Sequence, residues 1–213
     1  MDRRHGIFRK RSSGDAVRDA DRQALALRSQ CWNDALNAYA TSYIFQRRAR
    51  LLGRRIQWVT YVGFAVPMTV GLLVLSYNNL RSLPVIVAVA AAIGVGQTAL
   101  SLWAIIGGWV GGSSYAVTSA IANDLLAARY TELASNPPGN LTQFQQEYRL
   151  IKTEDQARTE QDYQQGIKEA EKRLGMRAAL RRYQRQCAGC GKVPVTMTPT
   201  NCGVCGNFRY RIT

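Results

Sequence analysis

The sequence predicts an all-α membrane protein: a two-helix transmembrane hairpin with long cytoplasmic helices and a small C-terminal zinc ribbon. Three observations predict it. From Trp58 to Val110 the only charged residue is Arg81, although charge is dense on both sides. Arg47, Arg48, Arg50, Arg54 and Arg55 crowd the start of that stretch. Two CxxC pairs close the chain. The mean hydropathy of −0.19 hides this block structure by averaging a very apolar middle with two polar arms. Such a block marks a membrane span rather than a globular core.

The chain divides into segments 1–14, 15–56, 57–110, 111–186 and 187–213. Residues 1–14 carry positive charge with no apolar run behind it, which predicts a disordered basic tail and not a signal peptide. A net charge of +14 and a pI near 10.1 suit nucleic acid or an anionic membrane surface. Beside membrane spans, anionic lipid is the simpler partner.

Residues 15–56 predict one long cytoplasmic helix. The segment has no Pro, Ser13 is placed to cap it, and Asp15, Asp19 and Asp21 sit where the helix dipole favours negative charge. Val17, Ala20, Ala24, Leu27, Cys31, Ala35 and Ala38 recur in steps of three and four. This small-residue seam fits either an intermolecular coiled coil or packing on the same chain.

The hairpin follows at 57–110. Gln57–Tyr77 holds about 21 residues and reaches about 31 Å at 1.5 Å each, enough for roughly 30 Å of hydrocarbon. Trp58 and Tyr61 mark one interface and Tyr77 the other, while Pro67 is tolerated inside a span. Residues 78–83 make a short turn, and Pro84 starts a second span running to Val110 with Trp103 and Trp109 near its far end. A turn this short makes the helices antiparallel neighbours. The arginines before the first span put both arms in the cytoplasm by the positive-inside rule, and that makes Arg47, Arg48, Arg50, Arg54 and Arg55 candidates for lipid-headgroup contact.

Segment 111–186 predicts cytoplasmic helices. Ser113 or Ser114 caps one that runs to about Ala134, and Ser135-Asn136-Pro137-Pro138-Gly139 breaks the chain. Asn140 with Gln143 forms a capping box for an arm to about Gln186, with interruptions expected near Thr153 or Gly166.

In the tail, Cys187-Ala-Gly-Cys190 and Cys202-Gly-Val-Cys205 are separated by eleven residues, each pair followed by a glycine. Paired knuckles with no histidine predict a structural Zn2+ held by four thiolates, leaving no position for water. Some 25 residues bury too little to fold alone, whereas zinc supplies roughly 10–16 kcal/mol. Val193–Thr198 and Phe208–Ile212 are the expected ribbon strands. A redox dithiol is the rival, weakened by the pairing. Lys192, Arg209, Arg211, Arg181, Arg182 and Arg185 keep nucleic-acid contact open, though without the aromatic residues a stacking surface needs. Cys31 reads as a small apolar helix residue, and His5 stands alone in the tail.

At about 100° per residue, Ala90, Gly94, Gln97, Ser101, Ala104 and Gly108 share one face of the second span. Gly63, Pro67 and Gly71 make a similar low stripe on the first. Small faces usually mean helix contact. The functional alternative is a water path lined by Gly94, Gln97, Ser101, Ala104 and Gly108. Two helices cannot enclose a channel, so a pore requires a homo-oligomer. Gly107, Gly108, Gly111 and Gly112 are the candidate gating hinge. No Gly-rich phosphate loop, HExxH, GxSxG or paired carboxylate appears, and the expectation is a protein that is not an enzyme.

The run Thr41-Ser42-Tyr43-Ile44-Phe45-Gln46-Arg47-Arg48-Ala49-Arg50-Leu51, leading into two close spans and a helical arm, resembles the SLATT domain over about Asp15–Arg177. The CxxC-x11-CxxC tail resembles the form of that family found on mobile genetic elements. The resemblance implies an effector of bacterial conflict systems that perforates the inner membrane when an upstream sensor or nucleotide-signal protein activates it. The alternative is a membrane-anchored adaptor whose ribbon holds nucleic acid or a partner protein.

Overall fold

The computed structural model describes residues 13–76 and 83–208, and every regular element among them is helical. There are five helices among the described residues: α1 (Ser13–Ser76), α2 (Leu83–Ile106), α3 (Trp109–Ser135), α4 (Leu141–Tyr163) and α5 (Glu169–Arg182). Residues 1–12 with His5, Tyr77, the expected turn with Arg81, and Arg209 to Thr213 lie outside the described residues. The predicted boundary at 56/57 is not a break. Gly53 alone costs only about 1 kcal/mol in a helix, and α1 runs 64 residues without interruption, with Pro67 inside it.

Two other boundaries move for identifiable reasons. The second span was expected to reach Val110, but α2 stops at Ile106 because Gly107 and Gly108 form a turn. Gly108 adopts φ +63, where a side chain would be strained, and its N–H donates to the Ile105 carbonyl at 3.0 Å. Gly112 N–H then bonds the Gly108 carbonyl at 2.7 Å. α3 therefore opens at Trp109 rather than behind a Ser113 or Ser114 cap. Asn140 does cap α4, its side chain accepting from Thr142 N–H at 2.9 Å. Gln143 does not close the expected box; its amide donates to Glu147 at 2.9 Å instead. The following arm breaks at Gly166, with φ +56, and not at Thr153.

The chain forms two compact units, one from Ser42–Ile121 and the other from the described residues of Met1–Thr41 and Ala122–Thr213. In the latter, Leu27, Cys31, Ala35 and Ala38 of α1 are buried against Tyr130 of α3 and Phe144 and Ile151 of α4. The seam along α1 is thus filled by its own chain from Leu27 onward. Polar groups knit the same helices. Lys152 Nζ lies 3.0 Å from Asp34 and 3.1 Å from Asp155, Tyr148 donates to Asp34 at 2.9 Å, and Tyr130 donates to Asp155 at 3.1 Å. Asp162, buried on α4, accepts from Asn123 of α3 at 2.7 Å.

In the unit Ser42–Ile121, α1 packs on α3 and α2. Ser42, fully buried, donates to the Ala120 carbonyl at 2.8 Å, and Phe45 meets Tyr115 edge-on with centroids 5.8 Å apart. α2 is different in kind. Val87–Ile106 is long and apolar enough to cross a membrane, and none of that window is buried in the chain.

Candidate metal centre

The tail builds its site from two turns. Gly191 takes φ +68 after the first pair, and its N–H closes on the Cys187 carbonyl at 2.8 Å. After the second pair Gly206 N–H bonds the Cys202 carbonyl at 2.9 Å. A Cβ on Gly206 would collide with the Thr200 backbone, so that position too requires glycine. These turns leave the Gly189 and Val204 N–H groups 3.4 Å from the Cys187 and Cys202 sulfurs.

The four Sγ atoms lie within 4.8 Å of one another. Cys187 and Cys202 are 3.9 Å apart, and Cys190 and Cys205 are 3.8 Å apart. A tetrahedron with Zn–S bonds of about 2.3 Å has edges of about 3.8 Å. The four cysteines therefore fit a structural Zn2+ site, with donor identity, count and spacing all agreeing. Left to themselves the thiols compete. Backbone N–H donors of Cys205 and Val204 push Cys202 down to about 6, whereas burial, then the neighbouring sulfurs, push Cys205 up. A dication among them favours all four thiolates at once.

The expected strands are not there. Residues 193–198 are irregular, and no strand occurs among the described residues; beyond Phe208 the second expected strand lies outside them. What holds the ribbon instead is α5. Leu36 and Ala40 of α1, Ala179 and Leu180 of α5, and Cys187 and Cys205 form one buried cluster. Arg177, 6% exposed, projects from α5 into the ribbon. Its Nε donates to the Thr196 carbonyl at 2.8 Å and its Nη1 to the Cys205 carbonyl at 3.2 Å. Nη1 also lies 3.9 Å from Cys205 Sγ, where a positive charge offsets the excess negative charge of four thiolates around one dication. The sequence reading missed Arg177. The available signal was an arginine inside Leu174-Gly-Met-Arg177-Ala-Ala-Leu180, ten residues before the first ligand.

A family model for mobilome CxxCx(11)CxxC proteins matches residues 28–208. The chain belongs to that family. No curated protein and no solved structure matches it. The match takes in the helices as well as the cysteines, so the ribbon and the helical body are one family trait.

Of the six basic residues open to nucleic acid in this mobilome CxxCx(11)CxxC protein, two are engaged within the chain. Arg182 lies over the Tyr39 ring at 4.8 Å and Arg185 donates to Asn33 at 2.9 Å, while Arg209 and Arg211 lie outside the described residues. Arg181 and Lys192 are exposed.

The candidate residues of the apolar segment fall as follows. Among the described side chains of α2, Ala90, Gln97, Ser101 and Ala104 are the half-covered ones, while Gly94 and Gly108 are exposed. Gln97 Nε2 donates to the Val59 carbonyl of α1 at 2.7 Å. A Cβ on Gly63 would sit 2.9 Å from that nitrogen, so Gly63 makes the room. At Gln97 the small stripe thus meets α1. Of the four hinge glycines only Gly107 and Gly108 interrupt the helix; Gly111 and Gly112 lie inside α3. Among the arginines that are candidates for lipid contact, Arg48 lies over Phe45 at 5.6 Å and Arg55 over Trp109 at 5.9 Å. Arg47 is half-covered and also engaged, and Arg50 and Arg54 are exposed.

Proposed function

We propose that this chain is an oligomeric membrane effector, not an enzyme, that permeabilises the bacterial inner membrane in a defence or conflict system. The observation that carries the reading is α2, an apolar helix of spanning length that its own chain leaves uncovered. At roughly 25 cal/mol per Å2, water-exposed Val95, Trp103, Ile105 and Ile106 would be costly on a soluble protein. In lipid they are at home. Gln57–Tyr77, whose described part belongs to α1, supplies the first span of the hairpin. Gln97 supports the pairing, because an amide in hydrocarbon takes its partner from the neighbouring helix.

The effector role rests on the likeness of Thr41–Leu51 and the two spans to the SLATT domain, with which a mobilome family is consistent. Both termini lie in the cytoplasm on the arginine count. The cluster of Asp34, Tyr148, Lys152 and Asp155 serves helix packing and not chemistry. In the resting arrangement the Gln97–Ser101 stripe is shut against α1. Activation through the cytoplasmic helices, by an upstream sensor or nucleotide-signal protein, turns α2 at Gly107–Gly108 and gives that stripe to a water path between subunits. The adaptor alternative keeps exposed Arg181 and Lys192 but loses Arg182 and Arg185 to contacts within the chain, and it leaves the uncovered apolar face of α2 without a role beyond anchoring.

The test is the purified chain in anionic vesicles with entrapped dye, alongside its stoichiometry in detergent. Leakage under an activating condition, from a species of at least three copies, supports the reading. A monomer or dimer that leaks nothing, yet binds RNA or DNA through the ribbon, hands the function to the adaptor.

A further inference from the structure

Arg54, Gln57, Trp58 and Tyr61 are spaced three, four and seven apart, which puts them on one face of α1. Together they line a surface concavity of about 340 Å3. Trp58 and Tyr61 form its wall, packed edge-on with centroids 6.2 Å apart at 90°, yet each is about two-thirds exposed, at 67% and 66%. Arg54 supplies the charge. The guanidinium groups of Arg48 and Arg55 already lie over aromatic rings. Arg54 is exposed, and no acceptor engages it among the described residues.

We propose that this concavity is a binding site for one anionic phospholipid headgroup. The inference rests on the membrane reading of the preceding section and adds a discrete ligand to it. From Arg54 to Tyr61 the helix rises about 10 Å, slightly more than the roughly 5–8 Å of headgroup layer on one side of a bilayer. A cation at the phosphate level thus puts the indole at the glycerol level and the phenol at the start of the hydrocarbon. The planar fork of Arg54 can take two phosphate oxygens. Gln57 offers an amide to the glycerol hydroxyls or ester carbonyls, and the two rings flank the neck of the acyl chains. A zwitterionic lipid brings its own ammonium beside Arg54 and so fits worse than an anionic one.

The experiment uses the full chain in mixed phosphatidylcholine and phosphatidylglycerol vesicles. It is extracted gently, and the lipid retained per protein is measured by native mass spectrometry. Phosphatidylglycerol should be retained over phosphatidylcholine by about fivefold, the effect of one cation at an anionic surface. Arg54→Ala should abolish that preference and Trp58→Ala should weaken retention of both lipids. Arg149→Ala, which removes an equal charge from α4, should change neither. Retention unchanged in Arg54→Ala, or lost equally in Arg149→Ala, overturns the site while leaving the membrane reading standing. A chain that never enters the vesicles overturns both. Inorganic phosphate at millimolar concentration should not displace the lipid; if it does, the site recognises phosphate alone and the lipid assignment falls.

Discussion

Where the described residues of 1–41 and 122–213 pack together this chain buries polarity, and along the described residues of 57–106 it exposes apolarity. In the first region Lys152 is held between two carboxylates, two tyrosine hydroxyls donate to the same carboxylates, and Arg177 reaches into a thiolate cluster. These buried polar groups find partners on neighbouring helices, as groups shut off from water require. In the second region Val95, Trp103, Ile105 and Ile106 face outward, and the Gln97 carboxamide turns in to a backbone carbonyl. The same rule operates in both, that polar atoms seek polar partners, but on the proposed membrane reading the surrounding solvent has changed sides. A polar substitution should therefore be tolerated on the surface of the first region and not of the second.

The largest expected effect is on the metal. Cys187→Ser with Cys190→Ser should abolish binding of one zinc per chain and forfeit a folding contribution on the order of 10–16 kcal/mol. Amide exchange should then rise at Leu36 and Ala40, which the cysteines help to bury. Elemental analysis finding no zinc in the wild-type chain would sink this prediction. Next in size is Arg177→Met, which leaves the Thr196 and Cys205 carbonyls without their charged donor. Two such hydrogen bonds are worth roughly 3–5 kcal/mol together, and zinc affinity should fall 10–100-fold, as for other residues that support metal ligands. Arg177→Lys should recover part of this, because a single ammonium reaches one carbonyl but not both. Chelator competition measures it.

The four zinc ligands were readable from the sequence because knuckle spacing is a local property. The strands and Arg177 were not, because both depend on where α5 docks, and an arginine on a helix looks solvated until its partners are known. The same limit explains α1. Steps of three and four named Leu27, Cys31, Ala35 and Ala38 as a buried face, but periodicity carries no information on whose helix covers it. The ends of α2 moved because glycine pairs permit a turn without requiring one. The full span set remains an argument from composition, joined in the structure by the exposure of α2.

High pH should loosen the polar region first. Burial, then the charge of Asp34, lifts the Cys31 thiol from 9.0 to about 11. Burial and the bond to Asp34 lift Tyr148 from 10.0 to about 12. Burial opposes the charge on Lys152, but its bonds to Asp34 and Asp155 outweigh it and raise its pKa above 10.5. All three hold their protons more tightly in the folded chain, so their stabilisation is complete below about pH 9 and fades as pH rises toward 12. At about 1.4 kcal/mol per unit, the two-unit rises at Cys31 and Tyr148 bound the loss at roughly 5–6 kcal/mol, and solvent around half-exposed Tyr148 reduces it. Thermal melts in detergent from pH 8 to 11.5 should show a falling midpoint, and Tyr148→Phe should flatten the upper part of the curve. A midpoint independent of pH across that range would rule the network out as a source of stability.

Smallest in free energy is the clasp between the apolar helices. Gln97→Leu removes the bond to the Val59 carbonyl, and interhelical hydrogen bonds in membranes average about 0.6 kcal/mol and reach roughly 1.7. Gly63→Ala should cost a similar amount by a different route, since its Cβ would lie 2.9 Å from Gln97 Nε2 and push the amide away. The informative variant is the double. Leucine is one atom shorter than glutamine, so Gly63→Ala should cost little once Gln97 is Leu, and the two changes should not add. Spin-label distances between α1 and α2, together with melting midpoints, give the four corners of that cycle. Additive losses would mean that Gly63 is not there for Gln97, and that the inward turn of the Gln97 carboxamide is incidental to how these helices meet.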